Sequence, residues 1–453
     1  MPRLYFSVNS RIGRWVWVVA GFFISLQLHA QHSVQPLLTE IEVESPSQES
    51  HYGAQERDRD QLPATTEYLH VLSTGQSLAL GVYSSPALSL AQPYDNQCLS
   101  SWAGGFNAPL IPLVEEYDQE SPCSGLANTL HVMDSAARPI VMGLHASGGF
   151  GYAILKKGTS TWKVAMMQVA VTKATVESTP NHSYRPIAIT VVHGETDNYS
   201  GNAAAYQGYL EEWQHDYETD ISGIVGKPIP IPMFVSQMNT GWTGELAIAQ
   251  YKAHKANPGK IFLIGPKYQY SYIYDKLHLS NVDSKHLGEM FAKVINEVAL
   301  KGNGWNPLMP KAVHRVGKVI TVDYHIPVGS LEIDTVLVAR RPNFGFDFVQ
   351  TGGNDVKIID VQLIDGAKKV KITLDRVPTG SDERLRYGYT CYRGVVDGLA
   401  NCGCGTDPLA VGGNIRDMDV QVSKAIGSTG LPLYNWGVTF EEAVVDDMLE
   451  HRD

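Results

Sequence analysis

The sequence predicts an α/β domain in which helices flank a parallel sheet, followed by an antiparallel β region. Three observations carry that expectation. First, five short apolar runs rich in β-branched residues lie at 68–72, 139–144, 186–192, 231–235 and 260–264. Each is nearly continuous in apolar character, as strands covered on both faces are. Second, segments able to form helices lie between and after them, at 162–176, 203–217 and 280–300. The last carries Leu287, Met290, Phe291, Val294 and Ile295 at helical spacing. Third, the style changes beyond residue 310. VGKVITVDYHI, LEIDTVLVA, VKIIDVQLI and KVKITLDRV alternate apolar with polar residues, the pattern of antiparallel strands with one wet face. The expected architecture is thus a five-stranded parallel sheet domain over 66–305 and a β-sandwich-like accessory domain over 310–453.

The N-terminal 65 residues belong to neither. Arg3, Arg11 and Arg14 precede an apolar stretch from Trp15 to Leu28, too short for an ordinary membrane span, and Ala30 offers a small residue for cleavage. Residues 1–30 have the form of a secretory signal peptide, which predicts a secreted or periplasmic protein. Residues 31–65 include SPSQESHYGAQERDRDQ and have the polarity of a flexible tether. No second segment is apolar enough to span a bilayer.

Composition narrows the function classes. Of 453 residues 43% are hydrophobic and 18% charged, with 42 glycines and 24 prolines, which excludes a coiled coil, a collagen or a wholly disordered chain. The net charge is −11 and there is no basic run, so no cationic stripe exists to bind nucleic acid. An odd number of cysteines, five, leaves at least one without a partner in the chain. Export permits disulfides. Cys98 and Cys123 are the expected pair in a loop-rich stretch, with one further pair among Cys391, Cys402 and Cys404. Cys402-Gly-Cys404 has no second ligand pair nearby and does not form a zinc motif.

In an open α/β sheet the site forms beyond the C-terminal ends of the strands. The first apolar run is followed by Ser73-Thr74-Gly75-Gln76-Ser77-Leu78 and the second by His145-Ala146-Ser147-Gly148-Gly149-Phe150-Gly151. The third is followed by His193-Gly194-Glu195-Thr196-Asp197, and Tyr274-Asp275-Lys276-Leu277-His278 comes after the fifth. Together they are the inventory of a Ser-His-Asp acyl-transfer site with an oxyanion hole. A serine hydroxyl is a weak nucleophile until a base takes its proton. His278 is that base, and Asp275, three residues earlier, reaches its Nδ1–H. Ser77 is expected to open a helix whose N-terminal N–H groups face a developing oxyanion. Gly148 and Gly149 let a backbone N–H approach the same oxygen. His145 and His193 with Asp197 lack any recognised metal-ligand spacing, and the 148–151 turn lacks the spacing of a nucleotide-phosphate loop. Trp102, Trp162, Tyr199 and Trp242 are aromatics in loops near the same rim, available for stacking on sugar faces or for packing. Tyr387, Tyr389, Tyr392, Tyr434 and Trp436 offer the same two readings in the β region.

Gly75-Gln76-Ser77, His193-Gly194-Glu195-Thr196-Asp197 and Asp275-Lys276-Leu277-His278 resemble three blocks of the SGNH (GDSL-like) hydrolase superfamily. Within it they are most similar to the sialate O-acetylesterase-type carbohydrate esterase branch, over about 66–300. The resemblance implies a three-layer αβα fold and a metal-free, cofactor-free ester hydrolase acting on acetylated carbohydrate. Carried over by position, Ser77 is the nucleophile, and Asp275 and His278 complete the triad. The N–H groups of Ser77 and of the Gly148-Gly149 turn form the oxyanion hole. His193 stands where the family carries Asn or Gln as a third donor, and a neutral imidazole N–H is able to donate the same bond. Leu78 stands where the branch has Asn. Glu195 is expected to be a buried structural carboxylate.

Two other readings fit the same residues. One is a lipid or aryl ester hydrolase of the same fold, which differs in its acyl-chain preference. The other is an inactive glycan-binding surface protein, for which His193 and Leu78 are the departures that matter.

Overall fold

A computed structural model describes residues 65–101, 110–115, 117–239, 244–389, 411–423 and 430–447. The expected leader, the expected tether up to residue 64, Trp102, Trp242, Cys391, Tyr392, Cys402 and Cys404 lie outside the described residues.

The five long apolar runs form adjacent strands. They are β1 (Thr66–Gly75), β4 (Ile140–Leu144), β5 (His182–Val192), β6 (Met233–Ser236) and β7 (Ile261–Gly265), with β2 (Cys98–Ser100) and β3 (Ile111–Pro112) between the first two in sequence. The sheet order is β3-β2-β4-β1-β5-β6-β7, all parallel except β3, which runs antiparallel to β2. The sheet therefore has seven strands where five were expected. The extra two are three and two residues long, too short to carry a periodic pattern, and they cover the edge of β4 that would otherwise be open.

Both faces of the sheet are covered. Leu72, Ile189, Val191, Met233, Val235 and Leu263 share one core with Trp162, Val169, Leu210, Trp213 and Leu246. Those partners lie on α3 (Ser160–Glu177), α5 (Tyr206–Val225) and α6 (Glu245–Ala256). Leu69, Val71, Ile140, Met142, Phe234 and Phe262 turn the other way, to Leu126, Leu130, Leu287 and Phe291. These belong to α1 (Pro122–Met133) and α7 (Asn281–Ile295). Short helices α2 (Tyr152–Leu155) and α4 (Glu195–Tyr199) lie in the loops after β4 and β5. The expected helix at 162–176 falls inside α3, whose N-terminus is capped by the Thr159 hydroxyl accepting from the Trp162 N–H at 3.2 Å. The one expected from 203 begins at Tyr206 after a single 3₁₀ turn, Ala203–Ala205. That of 280–300 is α7 plus one π-helical turn, Asn296–Leu300. Among the described residues no helix is long and apolar enough to cross a membrane.

From Met309 the chain is antiparallel β. A five-stranded sheet contains β8 (Met309–Val316), β9 (Val319–His325), β12 (Ile358–Ile364) and β13 (Lys369–Leu374), with β17 (Val445–Asp446) parallel at its edge. A three-stranded sheet contains β11 (Phe346–Thr351), β14 (Ser381–Tyr387) and β16 (Phe440–Ala443). A two-stranded ribbon pairs β10 (Leu331–Ile333) with β15 (Ile415–Asp417). On β9 and β13 every second residue is buried, as the alternation demands. LEIDTVLVA departs from expectation, because only Leu331–Ile333 is strand. The Asp334 carboxylate accepts from the N–H groups of Val336 and Leu337, both at 2.8 Å, and turns the chain out of the ladder.

The expected Cys98–Cys123 disulfide does not form, and both are free, buried thiols. Cys98 starts β2 and points its Sγ at the Ala127 carbonyl on α1, at 3.5 Å. Cys123 lies on the first turn of that helix, one turn (about 5–6 Å) away along the axis. Burial pushes both thiols up to about 12, so neither is reactive as a thiolate.

Beside them lies a buried polar cluster. The Ser121 and Ser124 hydroxyls donate to Glu115 at 2.8 and 2.7 Å. Glu120 accepts from the N–H groups of Leu88 and Ser89. Burial, with the nearby Glu120 charge, raises the Glu115 carboxyl from 4.5 to about 7 against the lowering effect of the serines. Between those values the folded chain holds a proton that the unfolded chain has released, so this contribution to stability is full below about 4.5 and is lost as pH rises through about 7. Glu115→Gln should remove it. Denaturation of the parent and the variant at pH 5 and pH 8 should show the parent losing up to about 3 kcal/mol more than the variant across that interval. Parallel pH profiles would contradict the assignment.

Candidate active site

The chain reaches β4 on one side of β1 and β5 on the other, so the order reverses at β1. A crevice opens at such a switch point. The loops after β1, β4 and β5 meet there and are laced together by backbone bonds. The N–H of Gln76 donates to the Val192 carbonyl at 3.2 Å and that of Ser147 to the Gly75 carbonyl at 3.0 Å. The Gln76 side-chain oxygen accepts from the Thr196 N–H at 3.2 Å, which binds the Gly-Gln-Ser block to the His-Gly-Glu-Thr-Asp block. Gly75 has φ 142°, and a Cβ there would lie 2.1 Å from the Val192 carbonyl oxygen. No residue with a side chain fits that crossing.

Ser77 follows in a run of turns, not in the helix that was expected. The N–H groups of Ala79 and Leu80 reach the Gln76 carbonyl and that of Val82 reaches Ser77, but Gly81 (φ 69°) and Tyr83 (φ 65°) are left-handed and stop the coil. The loop after β7 is long and returns across the sheet. A bridge between Tyr272 and Leu279 closes it into a tight turn with Lys276 left-handed at φ 58°. The turn presents two side chains. The His278 Nδ1 lies 2.6 Å from the Asp275 Oδ2, and its Nε2 lies 2.7 Å from the Ser77 Oγ. The other Asp275 oxygen accepts from the N–H groups of Leu277 and His278 at 2.9 and 3.0 Å. Burial works to raise the Asp275 carboxyl, but the bonds from His278 and Leu277 outweigh it and hold the acid below its ordinary value. Ser77 and His278 are both buried, at 9% and 7% exposure, with the ring set edge-on against Tyr83.

Three residues expected to share this site therefore come together: Ser77, His278 and Asp275. The Gly148-Gly149 turn lies alongside, fastened through Ser147, with Gly149 left-handed at φ 73°. Among the described residues the N–H groups of Ser77, Gly148 and Gly149 donate to no protein acceptor. His193 does not join them as an oxyanion donor. Its ring is fully buried, with the Tyr206 hydroxyl donating to Nδ1 at 2.7 Å and Nε2–H donating to the Phe150 carbonyl at 3.1 Å. Burial keeps the imidazole neutral against the pull of Asp197, so no N–H is left for a substrate oxygen. What the ring does is hold the carbonyl of the residue after Gly149. Trp162 is not on the rim either. It is buried, and its indole N–H donates to Asp220 at 2.9 Å. Tyr199 is almost wholly exposed, and Tyr83, Phe150 and Tyr274 are exposed large aromatics on the same set of loops. In the β region Tyr387 and Trp436 are core, while Tyr434 stacks under the Arg416 guanidinium at 3.8 Å.

No group of three or more His, Cys, Asp or Glu side chains among the described residues is placed to hold a metal ion. His145 is buried with Nε2 at 2.6 Å from the Tyr217 hydroxyl, and burial lowers its pKa to about 3. Glu195 is the structural carboxylate expected. Its Oε1 accepts from the Lys267 ammonium at 2.6 Å, and both groups are buried. Burial pushes the carboxyl up, and the Lys267 charge outweighs it, leaving the acid below its usual range.

Breaking one half of a buried ion pair strands the other charge. Lys267→Met should cost about 3–5 kcal/mol in chemical denaturation, and Lys267→Met with Glu195→Leu should recover most of it. Equal losses in the single and double variants would mean that the pair is not the stabilising unit.

No protein-family model matches the sequence, and no curated protein matches it. Solved structures do match. A carbohydrate acetylesterase from Xanthomonas citri aligns over 82% of this chain and 80% of its own, at 14% identity and a TM-score of 0.52. A protein from Arabidopsis thaliana aligns over 51% of this chain and 98% of its own, at 15% identity and a TM-score of 0.41. NanS aligns over 53% of this chain and 100% of its own, at 12% identity and a TM-score of 0.39. The likeness is one of fold, and the first of these shares with this chain a mixed α/β architecture across most of both molecules.

Proposed function

We propose that the chain is an exported serine esterase of the SGNH type that removes O-acetyl groups from carbohydrate. One observation carries the reading: a serine hydroxyl, an imidazole and a carboxylate in hydrogen-bonded series, at 2.7 and 2.6 Å, in the crevice of a parallel sheet. The fold shared with a carbohydrate acetylesterase supports the substrate class. The basic, apolar leader supports export.

In this reading the Ser77 Oγ attacks the ester carbonyl carbon while the His278 Nε2 takes its proton. Asp275, ionised, holds Nδ1–H in place and stabilises the imidazolium that results. The negative charge gathers on the carbonyl oxygen, where the N–H groups of Ser77 and of Gly148 and Gly149 are the free donors. His278 then gives its proton to the leaving sugar oxygen, and an acetyl-serine remains. Water, deprotonated by His278, releases acetate and restores Ser77.

The full chain should hydrolyse p-nitrophenyl acetate and release acetate from acetylated xylan, with turnover falling as the acyl chain lengthens. Ser77→Ala should abolish both reactions at an unchanged thermal midpoint. Asp275→Asn should lower kcat by about 10³–10⁴. Parental turnover by Ser77→Ala would sink the proposal, and preference for long acyl chains would move it to a lipid esterase.

A further inference from the structure

We propose that Tyr83 positions the imidazole of His278 and that this contact matters most after Ser77 has been acylated. The inference rests on the serine-esterase reading. Four observations lead to it. The Tyr83 and His278 rings meet at 88° with centroids 5.1 Å apart, an edge-to-face pair. Tyr83 has left-handed backbone, a sparsely populated region for a bulky side chain, which persists where the surroundings fix it. The surroundings do fix it. The Val82 N–H donates to the Ser77 carbonyl at 3.0 Å, and the Ser84 hydroxyl donates to the Leu279 carbonyl at 2.9 Å. Asn281 then donates to the Pro86 carbonyl at 2.7 Å, so the serine turn and the histidine turn are stitched together in the residues that follow the two rings. Finally, no hydrogen bond ties the Tyr83 hydroxyl to the described residues, and the side chain is 47% exposed, so the ring itself makes the contact.

In the resting protein the imidazole is held at three places: Nδ1 by Asp275, Nε2 by Ser77 and the ring by Tyr83. Acylation removes the second. The Ser77 oxygen becomes an ester oxygen with no proton to give. In the step that follows, a water oxygen bonds to the acyl carbon as one of its protons passes to Nε2. The tetrahedral adduct collapses, the bond from carbon to Oγ breaks, and Nε2 returns the proton to Oγ as the free acid leaves. Throughout that step, of these three contacts, those with Asp275 and Tyr83 remain to orient the base. Loss of the Tyr83 ring therefore slows deacylation more than acylation.

Stopped-flow hydrolysis of p-nitrophenyl acetate by the full chain separates the two steps. In Tyr83→Leu the steady phase should slow about three- to tenfold behind a burst of p-nitrophenolate. KM should fall by a similar factor, and kcat/KM should change little. Tyr83→Phe should restore the parental rates, since it keeps the ring. Tyr83→Met replaces the leucine variant if that protein does not fold. Equal slowing of both steps, no change in either, or failure of the phenylalanine variant to restore them would overturn the inference. So would a raised KM at constant kcat, which would make the ring a substrate platform. Absence of turnover in the unsubstituted chain would remove the esterase reading and this inference with it, whereas turnover with an unaltered steady phase in Tyr83→Leu would remove this inference alone.

Discussion

The hydrogen bond between Ser77 and His278 spans the sheet, and much of the rim is organised by that distance. Ser77 follows β1 and His278 follows β7, three strands away. Neighbouring strands are about 4.8 Å apart, so the histidine loop must run back some 14 Å before its ring can reach the serine. A free loop of that length would leave the imidazole loosely placed, and the extra ties in this loop answer that problem. The Tyr272–Leu279 bridge narrows it to a turn, and the Tyr272 hydroxyl fixes the base of the turn by donating to Asn239 at 2.7 Å. The Ser84 hydroxyl takes hold of Leu279 from the serine side.

The same rim explains the buried polar side chains. Beyond the last ladder bond, strand ends carry N–H and C=O groups with no neighbour to pair with, and burying them unpaired is costly. Side chains take the place of the ladder. Asp197 accepts from the Tyr152 N–H at 2.8 Å, and Gln250 accepts from the Met238 N–H at 2.7 Å while donating to the His193 carbonyl at 3.1 Å. His193 serves the Phe150 carbonyl in the same way. These groups lie on the same rim as Ser77 and His278, yet each already has a partner in the protein. Proximity to the crevice is thus a poor guide to chemistry here, and the useful distinction is between polar groups that are spent on the loops and those, such as the N–H of Gly149, that remain open.

That distinction marks the limit of what the residue pattern conveys. The five long strands were legible because they are covered on both faces and so are apolar without interruption. β2 and β3 were not, being too short to show any period. Serine, aspartate and histidine were legible because each follows a strand end and the topology rule brings strand ends together. The role of His193 is not legible, because position in a block says nothing of where a ring's protons go, and Tyr206 and Phe150 decide that. The cysteine pairing failed for a similar reason: spacing along the chain does not tell which helical turn a sulfur meets. Tyr83 left no signal, since its place depends on a left-handed bend and on a partner 195 residues further on.

The antiparallel sheets bear on the same site through the segment that follows β6. Gln237, at the end of β6, donates to the Thr439 carbonyl at 2.8 Å and accepts from the Thr439 N–H at 2.7 Å, while its amide also reaches the Ala247 carbonyl at 3.0 Å. Two residues later Asn239 holds Tyr272 and, through it, the turn that carries Asp275 and His278. On the other face Lys293 of α7 donates to the Leu433 carbonyl and to Asn435, at 2.8 and 2.9 Å, and pairs with Asp419 at 2.6 Å. These are buried contacts, where a lost partner costs more than it would at a wet interface. A β region joined in this way is part of the support of the histidine loop, and its removal would loosen that loop even though none of its described residues is hydrogen-bonded to Ser77.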